Sequence, residues 1–270
     1  MSSLACRQHI GRDANGCRHP SPPACHLVTA AVDRSGSMVS MGGAPPRQIH
    51  DQIKQLAKVA KQLNVATFFT LVTFDDTHEV PINQLNLQTD KLPTLAFLET
   101  HMAPRGMTKL YDSGIFALSL LNEQQEAYFA KLSKATQFLN PEIKTSYVLL
   151  TDGADNASAY NGRQRHYEAL KKMQQENGTM AIFLGANIDA SKTGGDLGFS
   201  GSASIQMTPT FEGASQCLRA VSHTLRRAST GSNNQSIEID DDQQQVNYSP
   251  PTSPASKPPQ MPSRVLLRRY

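Results

Sequence analysis

No apolar run in this 270-residue sequence approaches the length needed to cross a membrane. The first 25 residues also lack the apolar core of a signal peptide, so an intracellular, cytoplasmic setting is expected. The N-x-S/T sequons at Asn156, Asn177, Asn234 and Asn247 then carry little weight. A marked excess of positive or negative charge is missing too. Lys and Arg number 26 against 23 Asp and Glu, a net charge of +3, which argues for neither a nucleic-acid nor a membrane partner. Cysteine is scarce, with four in the chain. Cys6, Cys17 and Cys25 lie near His9, His19 and His26, a set that could in principle bind zinc. Paired C-x-x-C units are absent, so reduced thiols in a flexible arm are the expectation. Cys217 stands alone on an apolar helical pattern and reads as core. Internal repeats are absent, as are the G-x-x-x-x-G-K-[ST], G-x-G-x-x-G and G-x-S-x-G signatures of phosphate cradles, dinucleotide sites and nucleophile elbows.

What is present divides into three zones. Residues 1–25 are polar and aperiodic and read as a disordered arm. Residues 26–227 alternate strand-like and helix-like patterns. Residues 228–270 are rich in Ser, Gln, Asn and Pro and bury too little apolar surface to offset their ordering entropy. The chain as a whole is 39% hydrophobic, enough for a real core.

Within that zone, strands are expected at 26–32, 66–74, 78–82, 146–150, 179–184 and 203–207. Apolar residues at helical spacing predict helices at 47–63, 110–121, 128–139, 163–175 and 211–225. Strands alternating with helices predict an α/β fold, a doubly wound, mostly parallel sheet covered on both faces. The tight link between the second and third strands makes the third an antiparallel edge strand. In such folds ligands gather at the carboxyl ends of strands, where Asp33 and Asp152 both fall.

Asp33, Ser35 and Ser37 alternate along "AAVDRSGSM" (Ala30 to Met38), so their three oxygens can face one point, with Gly36 letting the loop fold tightly. Arg34 falls on the opposite side and is expected to face solvent. Thr108, in Gly106-Met107-Thr108, opens a helix, where it could also serve as a plain cap. Asp152 lies in "LLTDG". This order and spacing resemble the metal-ion-dependent adhesion site of von Willebrand factor A (vWA) domains, across residues 26–227. "FLGANIDA" (Phe183 to Ala190) and "GDLGF" (Gly195 to Phe199) further resemble stand-alone intracellular vWA proteins of bacteria and viruses.

The resemblance implies a Rossmann-like vWA fold and an Mg²⁺ or Mn²⁺ site held by Asp33, Ser35, Ser37, Thr108 and Asp152. It implies direct ligation by the hydroxyls, with the aspartates often acting through water, and capture of an Asp or Glu from a partner protein. Mg²⁺ takes six hard oxygens, which suits this donor set. The expected function is a non-enzymatic, metal-dependent protein-interaction module; the sequence leaves the oligomeric state open. One alternative is an assembly subunit that binds through tails or helical faces, with the metal structural only. The other is a Mg²⁺-dependent phosphohydrolase. A haloacid-dehalogenase-like enzyme, however, needs a second Asp where Ser35 stands. Asp112 is expected to stabilise its helix start, Asp189 to cap a helix, and Asp155 and Asn156 to be solvated loop residues. Ser229 in "RRAST", Ser249 and Ser253 resemble phosphorylation sites, and "RVLLRRY" (Arg264 to Tyr270) resembles a docking motif.

Overall fold

The computed structural model describes residues 10–12, 18–20, 24–139 and 141–230. In chain order the elements are β1 (Ile10–Arg12), β2 (Arg18–Pro20), β3 (Cys25–Asp33), a 3₁₀ turn (Gly36–Met41), α1 (Ala44–Leu63), β4 (Ala66–Phe74), β5 (His78–Asn86), α2 (Leu95–His101), α3 (Leu110–Lys131), α4 (Lys134–Phe138), β6 (Ile143–Thr151), α5 (Gly162–Asn177), β7 (Met180–Ala186), α6 (Ala190–Asp196), β8 (Ser204–Met207) and α7 (Phe211–Ser229). Six strands form one sheet in the order β5-β4-β3-β6-β7-β8. Every neighbouring pair is parallel except β4 and β5. This is the doubly wound α/β architecture, with one antiparallel edge strand, that the sequence predicts.

The central strand β3 is buried along its whole length, with helices on both sides of it. Its side chains alternate between two cores, as the pleat requires. Val28, Ala30 and Val32 pack with Ile53 of α1 and Leu218 and Val221 of α7. Leu27 and Ala31 pack with Leu118 and Leu121 of α3 and Leu170 of α5. With both faces of the sheet buried, the candidate site lies at the carboxyl ends of the strands.

Several boundaries differ from expectation, each for a local reason. Helix α1 begins at Ala44, not 47, because Pro45 and Pro46 occupy its first turn, where no backbone N–H is needed. Helix α3 runs unbroken to Lys131 through a stretch expected to separate two helices. Asn122 to Ala127 contains no Gly or Pro to stop it. The break comes at Ser133, whose Oγ accepts from the Thr136 N–H (3.1 Å) and caps α4. Strand β5 extends to Asn86 and carries Pro81, as an edge strand permits. Helix α2 is unexpected; it is only seven residues long and is capped by Thr94. The three-residue strands β1 and β2 pair antiparallel inside the stretch expected to be a disordered arm. They are too short to leave a periodic signal in the sequence.

Candidate metal centre

Strands β3 and β6 are neighbours with Val32 opposite Leu150, so Asp33 and Thr151 end the pair side by side. Thr151 Oγ1 donates to Asp33 Oδ2 at 2.6 Å, and the Ser35 N–H donates to Asp33 Oδ1 at 2.6 Å. Asp33 is 1% exposed. Burial pushes its carboxyl up to about 6, against the opposing effect of these hydrogen bonds. From Asp33 the chain turns through Ser35 and Ser37, whose hydroxyls lie 3.1 Å apart. Ser37 Oγ donates in turn to Asp152 Oδ1 at 2.6 Å. Asp152 is buried, and burial raises its pKa despite the bond from Ser37. Its second oxygen, Oδ2, is buried and has no hydrogen-bond partner.

Thr108 joins this group from a different element. The N-cap of α3 is Lys109, so Thr108 stands outside the helix and is not its cap. Its N–H donates to Asn156 Oδ1 at 2.8 Å, and its carbonyl accepts from the N–H groups of Asn156 and Ala157. These bonds dock the Thr108 loop onto the loop that follows Asp152. Gly153 lies between: a Cβ there would sit 3.7 Å from Ser37 Oγ and 3.9 Å from Thr108 Oγ1. All five expected residues therefore gather at the carboxyl edge of the sheet. Ser37 is exposed while Asp33, Ser35, Thr108 and Asp152 are buried.

The donor set suits a hard divalent cation. Two buried carboxylates disfavour their own ionisation, one carboxylate oxygen is unpartnered, and three neutral hydroxyls surround them. Among the described residues, no group of three or more His, Cys, Asp or Glu side chains could hold a metal, so any site here depends on hydroxyl oxygens.

Two expectations about this region are corrected. Arg34 is 2% exposed and does not face solvent. Its guanidinium reaches back to Asp75 Oδ2 at 2.9 Å and to Glu79 Oε2 at 3.0 Å. Asp155 and Asn156 are not merely solvated. Asn156 holds Thr108, and Asp155 accepts from Ser158 Oγ (2.5 Å) and the Tyr111 N–H (3.4 Å). Thr151, Asn156 and Gly153 were missed as site residues; only the position of Thr151 at a strand end beside Asp152 hinted at its role.

The other singled-out residues fall as follows. Asp189 accepts from the Lys192 N–H and caps α6, as expected. Asp112 lies in the first turn of α3 and accepts from the Ala159 N–H. Cys217 is buried in the core. Cys25 and His26 are buried in β3, and His26 is bonded to Ser146 and Ser229, so neither offers a free metal ligand. Cys6, His9, Cys17, the side chain of His19, Ser249, Ser253 and Arg264 to Tyr270 lie outside the described residues. Ser229 is 1% exposed, with its hydroxyl bonded to His26, and the folded domain shields it from a kinase.

Comparison with solved structures finds the same architecture elsewhere. Proximal thread matrix protein 1 from the mussel byssus matches 76% of this chain at 15% identity and TM-score 0.50. The PilB minor pilin of Streptococcus sanguinis matches 76% at 15% identity and TM-score 0.53. The likeness is one of fold. The pilus adhesin SpaC of Lactobacillus rhamnosus GG also matches, over 77% of this chain, at 12% identity and TM-score 0.52. The chain spans 49%, 62% and 30% of these proteins' own lengths. No protein-family model and no curated protein matches the sequence. The architecture is the one that the vWA resemblance implies.

Proposed function

We propose that this chain is a non-enzymatic protein-interaction module that takes a divalent cation, Mg²⁺ or Mn²⁺, between Asp33, Ser35, Ser37, Thr108 and Asp152. The observation that carries the reading is the buried, unpartnered Oδ2 of Asp152 beside three hydroxyl-bearing residues at one sheet edge. A bound cation would supply a Lewis-acidic position, short of anionic ligands, at which an Asp or Glu of a partner protein completes the shell. The protein's residues divide the remaining work. Asp33, held from both sides by Ser35 and Thr151, anchors the loop that carries the two serines. Asp152 supplies the open carboxylate oxygen. Ser37, the exposed member, marks the side from which a partner would enter. Among the proteins that share the fold, SpaC is a pilus adhesin, and the reading is consistent with such a role. The intracellular setting expected from the sequence belongs to the same proposal.

The test is affinity capture from source-cell lysate in Mg²⁺ and in EDTA, with wild type and Asp33→Ala side by side. Partners lost both in EDTA and in the variant support the reading. Partners retained in every arm overturn it and move attention to other surfaces, such as the exposed pair Phe138 and Leu139 at the end of α4. Turnover of a generic phosphate ester with Mg²⁺, lost in Asp33→Ala, would revive the enzymatic alternative.

A further inference from the structure

Four charged side chains interlock directly behind the candidate metal centre, and the proposed function leaves them without a role. Arg34 Nε donates to Asp75 Oδ2 (2.9 Å), and its Nη1 donates to Glu79 Oε2 (3.0 Å) and to the His101 carbonyl (3.1 Å). Arg105 closes on the same two acids, with Nε on Asp75 Oδ2 (2.7 Å) and Nη2 on Glu79 Oε1 (2.6 Å). Thr77 adds two donors to Asp75 Oδ1. Burial alone would raise the Asp75 pKa, but the bonds from Arg105 and Thr77 and the charge of Arg34 hold it well below the ordinary carboxylate range. The bond from Arg34, with help from Arg105, lowers Glu79 to about 2. Two cations therefore face two anions, and the cluster carries no net charge.

Three of these four residues are tied into the site's loops by backbone hydrogen bonds. The Arg105 N–H donates to the Arg34 carbonyl (2.7 Å), the Gly36 N–H to the Gly106 carbonyl (3.2 Å), and the Lys109 N–H to the Asp75 carbonyl (2.7 Å). Arg34 lies between Asp33 and Ser35, and Arg105 lies three residues before Thr108. A buried ion pair is a weak source of stability, because desolvation cancels most of its attraction. Its presence here points to a geometric task.

We propose that this four-charge clamp positions the cation site, Arg34 and Arg105 gripping Asp75 and Glu79 so that the Ser35 and Ser37 hydroxyls keep a fixed separation from that of Thr108. The inference rests on the reading of the five side chains as a cation site. Neutral hydroxyls are weak ligands, and Mg²⁺ tolerates little departure from an octahedron, so affinity depends on how well the two loops are held. The clamp ties them together through two shared acids.

The test opposes geometry to field. Arg105 is the residue to change first, since its side chain is 56% exposed and its loss leaves Arg34 on both acids. Mn²⁺ affinity is measured by calorimetry on purified wild type, Arg105→Met and Arg105→Lys, with unfolding of each followed in EDTA. Removing a positive charge should tighten cation binding if the field alone matters. Positioning predicts the opposite, at least ten-fold weaker binding for Arg105→Met. For Arg105→Lys, which keeps the charge and loses the planar fork, it predicts an intermediate loss. Both variants should still unfold cooperatively. Unchanged or tighter affinity in Arg105→Met overturns the clamp, and should that variant not fold, unchanged affinity in Arg105→Lys does so. A wild-type protein that binds no Mn²⁺ overturns the cation site itself and the clamp with it, before any variant is considered.

Discussion

Gly106 has φ +66°, and a Cβ there would come within 2.5 Å of Asp76 Oδ1 and 3.2 Å of Asp75 Cβ. Gly36, singled out in the sequence for the tightness of its loop, has no such requirement: a Cβ there meets only the Gly106 carbonyl, at 3.6 Å. Gly106→Ala should therefore lower stability by about 1–2 kcal/mol, and Gly36→Ala by no more than about 0.5 kcal/mol. Denaturant midpoints of the two variants check this; equal midpoints would contradict it. Asp33 poses the sharper contrast between function and stability. Its carboxylate is buried next to a second acid, so Asp33→Asn should stabilise the metal-free protein at pH 7.5 by on the order of 1 kcal/mol. The same change should abolish any rise in melting temperature on adding Mg²⁺. A variant that is less stable in EDTA would show that the native carboxylate contributes more than its burial costs. That the five oxygen-bearing residues would gather at one sheet edge was legible because their types and spacing survive in the linear chain. Arg34 was misread because alternation along a loop says nothing about a long side chain that turns back beneath the sheet edge to reach Asp75 and Glu79.

Helix α7 is pinned to the sheet by a buried polar link. Ser229 Oγ donates to the Leu225 carbonyl (3.1 Å), so it accepts from His26 Nδ1 (2.8 Å), which leaves His26 Nε2 to accept from Ser146 Oγ (2.8 Å). Burial, with a smaller contribution from Lys144, pulls the imidazole down to about 3. In the unfolded chain it titrates near its ordinary value of about 6.5. Below that pH the unfolded state takes up a proton that the folded state refuses. This contribution to stability is therefore intact above about pH 6.5 and declines as the pH falls toward 3. At pH 5 the loss is about 2 kcal/mol. His26→Asn should remove that dependence. The gap between wild-type and variant denaturant midpoints should narrow from pH 7.5 to pH 5, and a constant gap would refute the account. The raised carboxyl of Asp33 acts in the opposite direction in both proteins and cancels from the difference. Long periodic elements such as α1 and α7 were legible because an amphipathic stripe repeats over several turns. Short α2 and the junction of α3 with α4 were not, since seven residues or a single capping serine leave little pattern.

At the scale of the whole molecule, a cation that binds only the folded state must raise its stability by mass action. Mg²⁺ at about one hundred times its dissociation constant should add about 2.7 kcal/mol. For a domain of this size that is a rise of roughly 5–10 °C in melting temperature, reversed by EDTA. Scanning calorimetry with and without Mg²⁺ measures it directly, and identical transitions would remove the cation from the account.

Hydrophobic periodicity by itself determined the doubly wound sheet, its antiparallel edge and the polar strand ends, because burying both faces of a parallel sheet dictates which residues can lie where. Tertiary structure alone decided that Thr108 stands outside α3 beside Gly153, and that Asn156 secures it there. It also decided that Arg34 and Arg105 grip the same two acids behind the site. These contacts join residues tens of positions apart through loops, whose paths depend on the hydrogen bonds and charges they meet and not on any repeat in the chain.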